Sequence, residues 1–176
     1  MPVTRKDAEA LYDEVARAFG AALERLGKAY EPDADRRRDL LQEIHMALWR
    51  SFGTYDGRCS LRTWVYRVAH NTATSHVIRR RTKVPTLVSL EQLASMPNDT
   101  DSEAMADRRF AMQRILDLIR ILTPLDRQVI LLYLEGVDAA TIGDVTGLSS
   151  KNVATKVHRI KKILSQRFHE GGRHGQ

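Results

Sequence analysis

The chemically equipped side chains of this chain are basic, aromatic and amide groups, and they lie in two stretches. Residues 39–83, DLLQEIHMALWRSFGTYDGRCSLRTWVYRVAHNTATSHVIRRRTK, combine Trp49 and Trp64 with a basic charge that grows toward the end of the segment. Arg62, Arg67, His70, Arg79, Arg80, Arg81 and Lys83 read as occupying faces other than the apolar one. Arg62, Arg67, His70 and Asn71 recur at spacings that keep several of them on one side of a helix. Trp49 and Trp64 read as core residues, with Trp64 or Tyr66 the candidate for stacking on a base. In the second stretch, Lys151, Asn152, Ala154, Thr155, Lys156, His158, Arg159 and Lys162 form the outward face of a helix. Its inward stripe is Val153, Val157, Ile160 and Leu164. That outward face is basic and rich in hydrogen-bonding groups, which is what a helix needs to read base edges in a major groove.

The remaining reactive side chains do not assemble into a catalytic set. His45, His70, His76 and His158 are separated by helical geometry, and His169 and His174 flank a glycine pair, so neither a metal site nor a cofactor is expected. The sequence has no phosphate-binding glycine loop and no nucleophile elbow. Asp39 and Glu43, at helical spacing, read as a solvated or partner-facing acidic surface rather than a catalytic pair. Nothing supports an enzyme acting by itself.

These side chains must be positioned by helices. Leu11, Val15, Phe19, Ala22 and Leu26 set a first helix over 6–29, interrupted by Pro32 and Asp33; a second runs over about 35–52, stopped by Gly53, Asp56 and Gly57. Ser60 reads as the N-cap of a third, carrying Leu61, Trp64, Val65, Val68 and Ala69 and continuing into the Arg79–Arg81 cluster. Helical period is lost from Val84 to about Asp101, and Leu87, Val88, Leu90 and Leu93 there either dock on a partner or pack on one of the two domains. It returns near Glu103, and Thr123-Pro124 starts a further helix through Val129, Ile130 and Leu134. A short helix near 139–145, the turn Thr146-Gly147-Leu148-Ser149 and a last helix over 150–168 follow. Gly147, Ala139, Ala140 and Gly143 supply the tight turn and small residues that a steep helix-turn-helix crossing requires. The expectation is an all-α protein of two small domains: residues 1–84, a linker over 85–104, a helix-turn-helix domain over 105–170 and a disordered tail over 171–176.

Composition agrees with a polyanionic partner without naming it. The 176 residues carry a formal net charge of +6, with a sequence pI near 9.7, a bias shared by ribosomal, membrane-surface and nucleic-acid proteins. Acidic residues gather at 91–107, positive charge at 79–83 and 151–162. The single Cys59 excludes an intramolecular disulfide and a cysteine-rich zinc site, which suits a reducing cytoplasm. The N-terminus MPVTRKDAEALYDEV is charged and amphipathic and no apolar run approaches the ~20 residues of a spanning helix, so a cytoplasmic protein without membrane insertion is expected.

Taken together, these motifs resemble the extracytoplasmic-function group of bacterial RNA polymerase sigma factors, over nearly the whole chain. DLLQEIHMALWRSFGTYDG is similar to the family's region-two segment that binds core polymerase. SLRTWVYRVAHNTATSHVIRRR is similar to the adjoining segment that melts and reads the promoter near minus ten. LTPLDRQVILLYLEGVDAATIGDVTGLSSKNVATKVHRIKKIL is similar to the region-four helix-turn-helix that reads the element near minus thirty-five. The resemblance implies core-polymerase binding through Asp39, Leu40, Leu41, Gln42, Glu43, Leu48 and Trp49, and minus-ten contacts through Arg62, Trp64, Arg67, His70, Asn71, Arg79 and Arg80. It places Asn71 beside the loop that captures a flipped base, whose exposed edge an amide can pair with, and the arginines on the strand backbone. It implies minus-thirty-five contacts through Lys151, Asn152, Thr155, Lys156, His158, Arg159 and Lys162, and an anti-sigma partner covering both domains.

The chain departs from the family at Ala154, where Lys or Arg is usual, and at Lys156, where Arg is usual; lysine lacks arginine's bidentate fork. Asp33-Ala34-Asp35-Arg36-Arg37-Arg38 replaces a more acidic run. The rival reading is a stand-alone helix-turn-helix repressor or activator that uses residues 1–100 for dimerisation or ligand sensing and grips a symmetric duplex without polymerase.

Overall fold

The computed structural model of the chain describes residues 5–79, 88–96 and 108–170. Among them are eight helices and no strand. The expected continuation of the third helix through Arg80 and Arg81, most of the linker and the tail lie outside the described residues.

Three helices, α1 (Arg5–Tyr30), α2 (Ala34–Phe52) and α3 (Leu61–Arg79), pack on one another as the first domain. Val15, Leu23 and Leu26 of α1, Leu40, Ile44, Leu48 and Phe52 of α2, and Val65, Ala69 and Ala73 of α3 make its core. The four-residue spacing on α2 is the period of one helical face. Asp33 caps α2, its carboxylate accepting the N–H groups of Asp35 at 3.1 Å and Arg36 at 2.9 Å. Ser60 Oγ accepts the Thr63 N–H at 3.1 Å as α3 begins.

The second domain contains α5 (Arg108–Ile121), α6 (Pro124–Leu134), α7 (Ala139–Thr146) and α8 (Ser150–Glu170). Thr123 caps α6 with Pro124 in its first turn, and Asp138 caps α7. Gly147 ends α7 with φ 79°, the left-handed conformation that glycine adopts without a Cβ clash. At Gly143 the constraint is contact: a Cβ there would lie 2.5 Å from the Leu148 carbonyl oxygen. These two glycines let α8 follow α7 as a helix-turn-helix.

Between the domains lies α4 (Leu90–Ser95), opened by a capping box of Ser89 and Gln92. Leu90 and Leu93 are buried, α4 packs on α8, and the Val88 N–H donates to the Ile121 carbonyl at 2.8 Å. Of the two expectations for the apolar linker residues, packing on the protein's own second domain is the one found. One expected core position is corrected: Trp49 is 40% exposed, edge-on to Tyr12 at the rim of the bundle, ring centroids 5.6 Å apart.

Candidate nucleic-acid and partner interface

On α2 the residues assigned to partner binding separate by burial. Asp39, Gln42 and Trp49 are exposed and Leu41 and Glu43 half-buried, whereas Leu40 and Leu48 are fully buried core residues. Leu40 and Leu48 therefore shape the partner-facing surface from behind and offer it no atoms. Met46, 44% exposed, sits three residues beyond Glu43 on the outward side and was missed by the sequence reading. Its signal was the spacing: 39, 42, 43, 46 and 49 make one helical stripe, acidic at one end and apolar at the other.

The α3 residues assigned to nucleic acid also separate. Asn71 is exposed and, with Thr72, Ser75 and Arg79, lines a groove of about 430 Å³ against Glu43, Met46, Ala47 and Arg50 of α2. Glu43 Oε2 accepts from Arg79 at 2.5 Å, and its Oε1 lies 3.2 Å from His76 Nδ1. A residue assigned to a protein partner and one assigned to DNA thus touch. Trp64 is half-buried, its indole N–H donating to Ser51 Oγ at 2.9 Å and its ring beside Tyr55, centroids 5.3 Å apart.

His70 and Tyr66 are corrections. His70 is 2% exposed, with Nδ1 3.1 Å from the Tyr30 hydroxyl, and Tyr66 is 4% exposed; neither has a surface to offer a base. Burial holds the His70 pKa down at about 3 and lifts that of the Tyr30 hydroxyl to about 12, so the pair is neutral at ordinary pH. Arg80 lies outside the described residues.

On α8, Lys151, Asn152, Ala154, Thr155, His158, Arg159 and Lys162 are exposed, as expected, over buried Val153, Val157, Ile160 and Ile163. Lys156 differs: its Nζ lies 2.6 Å from Asp126 Oδ1, a side chain only 7% exposed on α6. The Thr155 hydroxyl donates to the Lys151 carbonyl at 3.0 Å. Arg159 is paired with Glu91 of α4.

The two domains touch along α3 and the C-terminal end of α1. Arg25 grips the Glu135 carboxylate with both nitrogens of its fork, at 2.6 and 2.7 Å. Arg62 donates to the Glu135 carbonyl at 3.4 Å and Arg67 to the Asp144 carbonyl at 2.6 Å. In the other direction, Arg120 donates to the Lys28 carbonyl at 2.5 Å, the Arg127 guanidinium lies 5.2 Å from the centroid of the Tyr30 ring, and Gln128 reaches the Thr74 hydroxyl at 3.3 Å. Each domain thus places cations on carbonyls near the ends of the other's helices.

Comparison with known proteins falls on the same two modules. Residues 15–83 match the family described as sigma-70 region 2, and residues 112–164 match sigma-70, region 4. The chain belongs to the extracytoplasmic-function group of RNA polymerase sigma factors. It is 29% identical over 149 residues to the ECF RNA polymerase sigma factor SigG of Mycobacterium tuberculosis, covering 72% of this chain and 40% of that one. With SigX of Bacillus subtilis the identity is 23% over 143 residues, covering 75% and 70%. The RNA polymerase sigma-H factor of Pseudomonas aeruginosa is 36% identical over 53 residues, covering 30% and 28%. The matched segments thus span well under half of SigG and sigma-H. In fold the chain is similar to CnrH, solved in complex with the cytosolic domain of CnrY: TM-score 0.65, 19% identity, 92% of this chain and 94% of that one covered. Among the described residues of this sigma-family chain, no helix is long and apolar enough to cross a membrane.

Proposed function

We propose that this sigma-family chain is a dissociable initiation factor that acts in the cytoplasm, binds core RNA polymerase and directs it to a small set of promoters. The observation that carries the reading is the order of surfaces along one chain: an acidic and apolar stripe on α2, the Asn71–Arg79 groove beside it on α3, then a helix-turn-helix whose outward face is basic. The stripe of Asp39, Gln42, Glu43, Met46 and Trp49 is the docking surface for a positively charged element of polymerase, which an acidic patch on a basic protein attracts without competing for DNA. The α3 groove takes the minus-ten strand, with Asn71 pairing an exposed base edge and Arg79 on the backbone. Lys151, Asn152, Thr155, His158, Arg159 and Lys162 face the minus-thirty-five duplex. An anti-sigma protein that covers both domains is a further expected partner, supported by family membership and by the fold likeness to CnrH.

The test is co-purification with core polymerase followed by run-off transcription from a genomic fragment library. Stoichiometric binding with discrete start sites is the expected result. A chain that ignores core polymerase but grips duplex DNA alone would be a stand-alone helix-turn-helix regulator instead.

A further inference from the structure

Glu43 of α2 commits both carboxylate oxygens to α3. Its Oε1 lies 3.2 Å from His76 Nδ1, and its Oε2 accepts from Arg79 at 2.5 Å. The two partners stand three residues apart on one face of the helix, yet their surroundings differ. His76 is 1% exposed, so packing holds its ring. The Arg79 side chain is 61% exposed, and that of Glu43 38%. An ionised carboxylate only accepts hydrogen bonds, so His76 Nδ1 carries the proton and donates. That leaves Nε2, buried and without a hydrogen-bond partner among the described residues, as the bare nitrogen of the neutral ring. The buried ring thus fixes the carboxylate, and the carboxylate fixes the guanidinium.

This relay ends in the groove between α2 and α3, whose walls include both Glu43 and Arg79. Asn71, in the same groove, stands eight residues before Arg79, about 12 Å of helix rise. A pair this exposed adds little to stability. What it changes is freedom: an arginine ordered before a strand arrives gives up less entropy on taking a phosphate. Glu43 engages Arg79 through Nη2, and a guanidinium carries five N–H donors, so the pair does not exhaust it.

We propose that Glu43 is a positioning residue of the strand groove: it holds the Arg79 guanidinium at the groove wall in the pose that takes the strand backbone, and His76 holds Glu43. This rests on the assignment of the groove to the minus-ten strand. It gives Glu43 a second duty beside its place on the docking stripe, and it gives the buried His76 a part in strand binding without contact. The opposite sign is the alternative: a carboxylate that competes with the phosphate for Arg79 hinders the strand, and its removal favours opening.

The test is a double-mutant cycle of Glu43→Gln, Arg79→Gln and the two together in the full chain. Each is assembled with saturating core polymerase on a fragment from which the unaltered chain initiates, so that any loss of docking is removed from the reading. Permanganate reactivity of the melted strand reports opening. Glu43→Gln is expected to lower opening about two- to tenfold, the range for freeing one long side chain. In the Arg79→Gln background the same change should have no effect, because no guanidinium is left to place. Glu43→Asp keeps the charge but is one methylene too short to span from His76 to Arg79; it should show the same Arg79-dependent loss and repeats the comparison with a second variant. Equal or greater opening with Glu43→Gln overturns the proposal, as does a loss of the same size without Arg79. Failure of the unaltered chain to bind core polymerase or open any fragment would remove the sigma reading and this role together, whereas normal opening by the unaltered chain with no Arg79-dependent loss removes the role of Glu43 only.

Discussion

Lys156 Nζ lies 2.6 Å from Asp126 Oδ1, and the other oxygen of that carboxylate accepts the Thr123 hydroxyl at 2.7 Å. The pair ties α8 to the N-cap of α6, which gives Lys156 a structural partner inside the chain. Removing the amine leaves a carboxylate in an apolar setting, and Lys156→Met is expected to lower stability by about 1–3 kcal/mol, discounted for the lysine's partial exposure. Urea unfolding checks the loss, and Asp126→Asn added to Lys156→Met should recover part of it. Duplex selection with the variant should return the wild-type sequence preference at lower affinity; a changed preference would restore Lys156 to the reading face.

His70 makes the first domain acid-sensitive. Its folded pKa of about 3 lies below the ordinary 6.5, so between those values the unfolded chain holds a proton that the folded one does not, and stability falls as the pH drops. Going from pH 7 to pH 5, this group alone should remove about 2 kcal/mol. Denaturant melts of the wild type and His70→Asn at the two pH values test this: the variant should start less stable and lose about that much less on acidification.

At Gly143 the atom in the way is backbone. A methyl group would lie 2.5 Å from the Leu148 carbonyl oxygen, closer than real Cβ contacts approach, so the turn must shift. Gly143→Ala is expected to destabilise the second domain by about 1–3 kcal/mol and to abolish upstream-element binding. The first domain should keep its affinity for core polymerase. Normal duplex binding by this variant would show that the helix-turn-helix tolerates a wider turn than the one observed.

Asn71→Ala is expected to impair promoter opening more than duplex binding, measured by permanganate reactivity of the melted strand beside a mobility-shift assay. Equal loss in both would remove Asn71 from the strand-reading role. Arg159→Ala should weaken the upstream element by about 1–3 kcal/mol as a base contact, and an unaltered footprint there would exclude it.

Local features were legible in the sequence because their causes are local. Thr123-Pro124 opens a helix wherever it stands, Gly147 ends one by accepting a positive φ, and the 40, 44, 48, 52 spacing on α2 fixes its buried face. The helix-turn-helix and its outward residues followed from such signals. The α3 face was misread because that helix has neighbours on several sides: α1 and α2 from its own domain, α6 and α7 from the other. A polar side chain there is as readily buried as an apolar one, and His70 found a partner in Tyr30, forty positions earlier. The partner of Lys156 was missed for the same reason, lying thirty positions back on α6. No local pattern announces that Arg25 will meet Glu135.

The docking of α4 sets the leash between the domains. Nine peptide steps lead from Arg79, where α3 ends, to Val88, held on α5 by its hydrogen bond to Ile121, and an extended chain advances at most about 3.6 Å per step, or ~32 Å in all. Elements centred near minus ten and minus thirty-five lie about 25 base pairs apart, ~85 Å along a duplex rising 3.4 Å per pair. A leash that short leaves the rest of the span to the breadth of the two domains or to the release of α4. With α4 peeled from α8 and drawn out as far as Arg108, the contour length rises to about 100 Å. Under the proposed function, the burial of Leu90 and Leu93 stores a length of chain on which reading both elements together would draw.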